Sequence, residues 1–201
     1  MEPFQRVKSS AIALLADDID TDQIVPARFL KSPRDKGYGT FLFHDQRFDG
    51  QGAQIENVFN DPVHADSRIL IAAANFGCGS SREGAVYALF DYGFRVIIAA
   101  SLGDIFRQNC LKNGLLPIVL PADEAARLRE LVAANPRGVI DVDLVTQSIA
   151  CFDGRVLQFS VDPFWKEALL KGTDELGLTL GYSDEIKKFE AGYYEEFTWL
   201  A

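Results

Sequence analysis

The chain has 201 residues, nearly half of them hydrophobic, and a formal net charge of -9. A chain of this length can bury one sizeable core, so we expect a single domain over residues 1–201. The negative charge argues against nucleic acid as a partner, because phosphate contacts need clustered Lys and Arg. No apolar run approaches the length of a membrane span, and no charged-then-apolar leader follows Met1, so we expect a cytoplasmic protein that binds no membrane.

The acidic segment 17–22 follows an apolar run at residues 8–16, which predicts an early strand and then a turn. Its spacing lacks the glycine and the distal glutamate of a calcium loop, so no metal is expected there. Residues 31–39 are rich in Gly, Pro and charge, which predicts a mobile surface loop. The chain's two histidines, His44 and His64, are interpreted as structural.

The stretch 68–84 (RILIAAANFGCGSSREG) is the centre of the sequence. An apolar run predicts a buried strand, Gly77 and Gly79 then permit a tight turn, and Ser80 and Ser81 are good N-cap residues for a helix that begins near Arg82. A helix N-terminus favours anions, and the Arg82 guanidinium suits a carboxylate. This turn is therefore a candidate anion site.

Known phosphate and nucleophile motifs do not fit this turn. It lacks the Gly-Lys-Ser/Thr ending of a Walker loop, the third glycine of a dinucleotide-binding turn and the Gly-x-Ser-x-Gly elbow. A purely structural turn, in which the serines cap and the glycines bend, stays open on spacing alone. Cys78 lies inside the turn, but no nearby base is visible in sequence, which favours a packing thiol over a nucleophile.

The cysteines Cys78, Cys110 and Cys151 are odd in number and widely spaced, which is typical of a reducing compartment. None of them forms a C-x-x-C pair. This chain alone therefore lacks the ligand pattern of an iron–sulfur cluster or a zinc site.

After the turn, helices and strands alternate, which predicts a parallel sheet flanked by helices. A β-rich part follows, with a hairpin that turns at Asp153 and Gly154. The tail 191–201 is expected to be disordered or bound to a partner. The predicted elements are helix 83–92, strand 95–100, a helix from a capping-box-like Ser101 to about Asn113, strand 116–120, helix 123–134, strand 139–145, hairpin 149–161, and helices 162–171 and 183–190.

The segment NFGCGSSRE (75–83) closely resembles the active-site loop of the swivel domain of the aconitase superfamily, and within it the small subunits of the 3-isopropylmalate dehydratase family. The likeness extends through DIDTDQIVPARFL (18–30), residues 91–120 and GLTLGYSDEIKKFE (177–190), which is nearly the whole chain. It implies an α/β fold of the swivelling β/β/α type, with a mixed sheet flanked by helices. One departure is Gly84, where the family's loop usually has histidine, which leaves the substrate's variable group open.

The resemblance implies a hydro-lyase subunit that moves the hydroxyl of a small hydroxy-diacid to the neighbouring carbon, in leucine biosynthesis. A 4Fe-4S cluster would be held by a larger partner subunit, and this chain alone would be inactive. Ser80 would be the general base, with Arg82 and Asp22 as further catalytic residues. The substrate would be bound by Ser81, Gly79, Arg28, Phe29, Leu30 and Lys31; Arg34 is another candidate for a carboxylate.

Alternatives stay open. A paralogous hydro-lyase small subunit would act on homoaconitate, citraconate, methylmalate or dimethylmalate. A stand-alone phosphate- or nucleotide-binding module would use the same turn, although the nucleotide fingerprint is missing. A non-catalytic regulator is disfavoured by the intact set of Ser80, Ser81 and Arg82.

Overall fold

The computed structural model describes residues 1–80 and 82–200, which form two four-stranded sheets. The first sheet is parallel throughout, and the second is antiparallel throughout. The strands of the parallel sheet are, in spatial order, β2 (Ala11–Ala13), β3 (Ile69–Ile71), β4 (Val96–Ala99) and β5 (Leu116–Val119). Those of the antiparallel sheet are β1 (Arg6–Ser9), β6 (Ile140–Asp143), β7 (Ser148–Ala150) and β8 (Val156–Gln158).

Helices cover both faces of the parallel sheet and form the end of the chain. They are α1 (Thr21–Ile24), α2 (His44–Arg47), α3 (Glu83–Tyr92), α4 (Asp104–Lys112), α5 (Ala122–Ala134), α6 (Pro163–Lys171), α7 (Glu175–Leu180) and α8 (Ser183–Glu196). Short 3-10 helices occur at Ala27–Phe29, Arg34–Lys36, Tyr38–Phe41, Val58–Asn60, Pro62–His64 and Thr198–Leu200. Within the described residues, no helix is both long and apolar enough to cross a membrane.

The parallel sheet separates two hydrophobic clusters, because successive side chains of a strand point to opposite faces. In β3, Ile69 and Ile71 face a cluster that includes α5, α6 and the antiparallel sheet, whereas Leu70 faces α3 and α4. The strands are therefore buried on both faces, as their continuous apolar runs predict. This β/β/α layering confirms the predicted fold class, with parallel and antiparallel pairing divided between two sheets.

The predicted single strand over 8–16 is wrong. The chain leaves the antiparallel sheet after Ser9 and enters the parallel sheet at Ala11. The Ser10 and Ser67 hydroxyls lie 2.8 Å apart at this crossing, and Ser9 Oγ donates to the Asp66 carbonyl. The change of sheet therefore depends on a segment 57 residues away, which the local pattern does not show.

Most of the elements predicted after residue 82 are confirmed within a few residues, including the hairpin, where Gly154 has φ +89°. The capping box at Ser101 is wrong: Gly103 is the N-cap of α4, without a side-chain cap, and Ser101 Oγ instead accepts from the Asn75 amide. α7 was not predicted. α8 continues to Glu196, so most of the tail is helical, and its 14 residues include none that is buried.

The predicted mobile loop over 31–39 is packed along α3. A bidentate ion pair joins Arg34 to Asp91 at 2.8–2.9 Å, and the Arg34 guanidinium lies 4.3 Å from the centre of the Tyr87 ring. Tyr38 is only 3% exposed. The Pro and Gly residues that suggested mobility instead begin and end two short 3-10 helices.

Candidate active site

The turn after β3 runs beside the acidic segment 17–21 at the carboxyl ends of the parallel strands. The Gly77 amide donates to the Ile19 carbonyl at 2.7 Å, and the Thr21 amide donates to the Cys78 carbonyl at 3.0 Å. Asn75 Nδ2 donates to Asp18 Oδ1 at 2.7 Å. Two loops distant in sequence thus form one surface at the edge where open α/β sheets usually bind ligands.

The glycines of the turn are needed for its backbone shape. Gly77 and Gly79 have φ of +72° and +92°, a region that strains residues with a Cβ. A Cβ on Gly77 would also lie 2.3 Å from the Phe106 ring, which packs beneath the turn. The bend and its contact with α4 therefore both require glycine at position 77.

Ser80 lies exposed at the end of this turn, with its backbone held on two sides. Its carbonyl accepts hydrogen bonds from Thr21 Oγ1 at 3.1 Å and from the Arg82 amide at 2.8 Å. Thr21 is only 2% exposed, so its hydroxyl is a fixed donor. The arrangement holds the backbone of Ser80 in place beside solvent.

Arg82 and Asp22 form an ion pair next to Ser80, with Arg82 Nη1 donating to Asp22 Oδ1. The Arg82 side chain is 21% exposed, and that of Asp22 is 51% exposed. A guanidinium has five N–H donors, so one bonded carboxylate leaves others for a ligand. The structure therefore brings together the three predicted catalytic residues from two loops.

α3 begins at Glu83 as predicted, but its N-cap is Arg82, whose side chain makes no capping hydrogen bond. The prediction that Ser80 caps α3 is thus wrong, because Arg82 and not Ser80 occupies the N-cap position. Ser81 lies outside the described residues, so its predicted roles stay predictions.

In the segment 28–31, Arg28 and Phe29 contact residues of the segment 41–45, whereas Leu30 contacts α3. Arg28 forms a bidentate ion pair with Asp45, and this partner holds the pKa of the Asp45 carboxyl below its usual range. Phe29 stacks on Phe41 with ring centres 4.2 Å apart. Leu30 lies against Gly84 in the first turn of α3.

Lys31 and Arg34, the other cationic side chains predicted to bind substrate, differ in whether they have a partner among the described residues. Lys31 is exposed. Arg34 is engaged by Asp91, so the prediction that it binds a substrate carboxylate is not supported by the geometry.

Cys78 is not arranged as a nucleophile. Burial raises the pKa of its thiol, and the nearby Asp20 and Asp18 raise it further, so the thiol stays protonated near neutral pH. The three cysteines are free. Across residues 1–80 and 82–200, no group of three His, Cys, Asp or Glu side chains is placed to hold a metal ion, so these residues offer no ligand set for an iron–sulfur cluster.

Sequence reasoning missed Thr21 and the pair of Asn75 and Asp18. Asn75 and Asp18 both have positive φ, at +56° and +55°, and their side chains hydrogen-bond to each other. Asn and Asp adopt this conformation more readily than other residues with a Cβ, which was the available signal. For Thr21, the signal was its place beside the acidic residue in the Thr-Asp pair.

Known proteins are similar to this chain in sequence and in fold. Residues 1–123 match the model of the aconitase C-terminal domain family. The chain is 47% identical over 203 residues to the 3-isopropylmalate dehydratase small subunit of Bacillus subtilis (strain 168), covering 100% of this chain and 99% of that one. It is 42% identical over 201 residues to the protein of the same name from Ruegeria sp. (strain TM1040), with both chains fully covered.

A solved structure supports the fold. The crystal structure of a 3-isopropylmalate dehydratase from Methanocaldococcus jannaschii superposes with a TM-score of 0.63, covering 94% of this chain and 99% of that one at 23% identity.

The fold and the turn define an aconitase-type swivel domain, a hydro-lyase component. The sequence identity to full-length relatives narrows this class to one family. The chain belongs to the family of 3-isopropylmalate dehydratase small subunits.

Proposed function

We propose that this chain is the small subunit of a 3-isopropylmalate dehydratase, which interconverts 2-isopropylmalate and 3-isopropylmalate by dehydration and rehydration in leucine biosynthesis. The observation that carries the proposal is the fixed Ser80 backbone directly beside the ion pair of Arg82 and Asp22. The names of the full-length relatives support the substrate.

Ser80 is the proposed general base, which takes the proton from the carbon next to a substrate carboxylate. A serine hydroxyl is a very weak acid, so its alkoxide needs strong stabilisation by nearby donors. The N-terminus of α3 and the Arg82 guanidinium supply positive potential at this point. The Thr21 hydroxyl keeps the Ser80 backbone in position for the transfer.

Arg82 is proposed to bind a substrate carboxylate through the N–H groups that Asp22 does not use. Asp22 orients the guanidinium and is itself half-exposed at the mouth of the site. The amide of Gly79 and the side chain of Ser81 complete the proposed binding of the diacid. Leu30 is proposed to face its alkyl group, and Arg28 and Phe29 hold the same loop through Asp45 and Phe41. Lys31, which is exposed, stays a predicted substrate contact.

The proposal requires a larger partner subunit. Because the residues of this chain do not fit an iron–sulfur cluster, we place the 4Fe-4S cluster on that subunit. Such a cluster supplies Lewis acidity for the loss of hydroxide when it is bound. Ser80 is exposed and the Arg82 side chain is partly exposed in this chain alone, without the cluster, so the isolated subunit is proposed to be inactive.

We further propose one domain and a cytoplasmic location. Both hydrophobic clusters include residues of the parallel strands β2, β3 and β4, which supports a single unit. The free thiols of Cys78, Cys110 and Cys151 support a reducing compartment.

The proposal is tested by anaerobic reconstitution of this chain with its cluster-bearing partner and by measurement of the unsaturated diacid formed from 3-isopropylmalate. We expect turnover by the native complex and a loss of about a thousandfold or more in kcat for Ser80→Ala, since general bases contribute on this scale. Ser160→Ala, at an exposed serine outside the turn, is the matched control and should keep full activity.

Size-exclusion chromatography of each complex separates loss of chemistry from loss of assembly. An assembled native complex without turnover would refute the isopropylmalate assignment, and the methyl- and dimethyl-substituted diacids would then be tried. Full activity of Ser80→Ala would refute the assignment of the base.

A further inference from the structure

Gly84 occupies a position in α3 where a side chain has no room. A Cβ built on Gly84 would lie 2.6 Å from Tyr38 Oη and 3.1 Å from Leu30 Cδ2, both closer than ordinary van der Waals contact. Its φ is not positive, so steric closeness and not backbone conformation explains the glycine. Gly also lowers helix propensity relative to Ala, by about 1 kcal/mol in a helix interior.

The segment of residues 29–41, which meets Gly84, is held by one ion pair to α3 and by one aromatic stack within itself. Arg34 is paired with Asp91, and Phe29 is stacked on Phe41. At the other end of α3, a Cβ on Gly39 would lie 2.6 Å from the Tyr92 amide nitrogen. The segment therefore approaches the helix closely at both ends and has little freedom to retreat.

This packing places an apolar side chain beside the proposed carboxylate site. Leu30 is 40% exposed and contacts Gly84 in the first turn of α3. Gly84 follows Arg82 by two positions. Tyr38, which is almost fully buried, brings its hydroxyl to the same point of α3. An apolar wall next to a carboxylate-binding guanidinium suits a malate that carries a branched alkyl group.

We propose that Gly84 sets the substrate selectivity of this site: because it lacks a side chain, the Tyr38 hydroxyl and Leu30 close on the first turn of α3, where Leu30 forms the wall against the alkyl group. Gly84 is thus a positioning residue that acts through Leu30 without touching the substrate. This inference rests on the proposed function and deepens it.

The test compares kcat/KM for 3-isopropylmalate and for 3-methylmalate in complexes reconstituted with the cluster-bearing partner. Gly84→Ala should displace Leu30 and lower the preference for the isopropyl substrate about tenfold or more, the usual effect of lost methyl-group contacts. Tyr38→Phe removes the atom at 2.6 Å and leaves Tyr38 Cζ at 3.5 Å, an ordinary contact; the close contact that remains is Leu30 Cδ2 at 3.1 Å, which a shift of a few tenths of an ångström relieves. The double variant Gly84→Ala/Tyr38→Phe should therefore regain most of the preference.

Gly50→Ala is the matched control, because a Cβ there meets nothing within 4 Å, and it should leave the preference unchanged. A native complex that turns over isopropylmalate, together with an unchanged preference in assembled Gly84→Ala, would overturn this inference alone. Failure of Tyr38→Phe to restore the preference would also overturn it. An assembled native complex without isopropylmalate turnover would instead overturn the proposed function, and this inference with it.

Discussion

Replacing Thr21 by Val tests whether the loop of residues 17–21 holds the catalytic turn. The two side chains have nearly the same shape, so the substitution removes one hydroxyl and little packing. Thr21 Oγ1 donates to the Ser80 carbonyl at 3.1 Å across 59 residues of sequence. Since Thr21 is 2% exposed, water cannot easily replace the lost donor.

The expected loss of stability is about 1 kcal/mol, the net value of one neutral hydrogen bond. It stays below the cost of an orphaned carbonyl, because the Arg82 amide still donates to Ser80 at 2.8 Å. The effect on catalysis should be larger than the effect on folding. Ser80 loses one of its two backbone restraints, and we expect kcat to fall about tenfold, in line with the cost of small misplacements.

The free energy of unfolding is measured by urea titration of the isolated chain, and kcat is measured in the reconstituted complex. Thr179→Val is the matched control: Thr179 Oγ1 also donates to a carbonyl, that of Glu175 at 2.9 Å, but this bond is exposed in α7. It should change neither quantity noticeably. Native stability and native kcat for Thr21→Val would show that this hydroxyl does not position Ser80.

Three further predictions concern the turn and the core. Gly77→Ala should lower the free energy of unfolding by about 2 kcal/mol or more in urea titration, because φ of +72° strains Ala and its Cβ would meet the Phe106 ring at 2.3 Å. An unchanged free energy of unfolding for Gly77→Ala would contradict the close packing of Gly77 on the Phe106 ring. Arg82→Lys should raise KM for the diacid about tenfold with the complex intact, since one ammonium cannot bridge Asp22 and a substrate carboxylate as the planar fork does; an unchanged KM would place the carboxylate elsewhere. Burial lowers the pKa of His64, so the unfolded chain binds its proton first as pH falls below about 6.5, and stability should decline from that pH downward. His64→Gln should flatten this decline in pH-dependent urea titrations, and an identical slope would assign it to other groups.

The strand, turn and helix around residues 68–92 could be read from sequence because their determinants are local. A continuous apolar run marks a buried strand, Gly77 and Gly79 mark the bend, and Gly93 ends the helix. The turn itself indicated Arg82, and the family resemblance then supplied Asp22, which the structure joins to Arg82 as an ion pair. Composition and residue spacing alone would not have shown that Asp22 pairs with Arg82 of the turn.

The features that escaped prediction depend on contacts between distant segments. The change of sheet at Ser10 is set by Asp66 and Ser67. The steric reason for Gly84 is its contact with Tyr38, a residue 46 positions earlier in the chain. The capping of α4 differs from expectation because the Ser101 hydroxyl is used by Asn75 instead.

The pairing of β1 with β6 has a consequence for how the chain is made. Arg6 pairs with Asp143, and Ser9 pairs with Ile140, so the first strand waits until about 140 residues have been synthesised before it finds its neighbour. Until then its backbone groups offer an open template to other nascent chains. Contacts of such long range also slow folding. Ribosome-bound chains that stop before β6 should therefore depend on chaperones, whereas chains that include β6 to β8 should not.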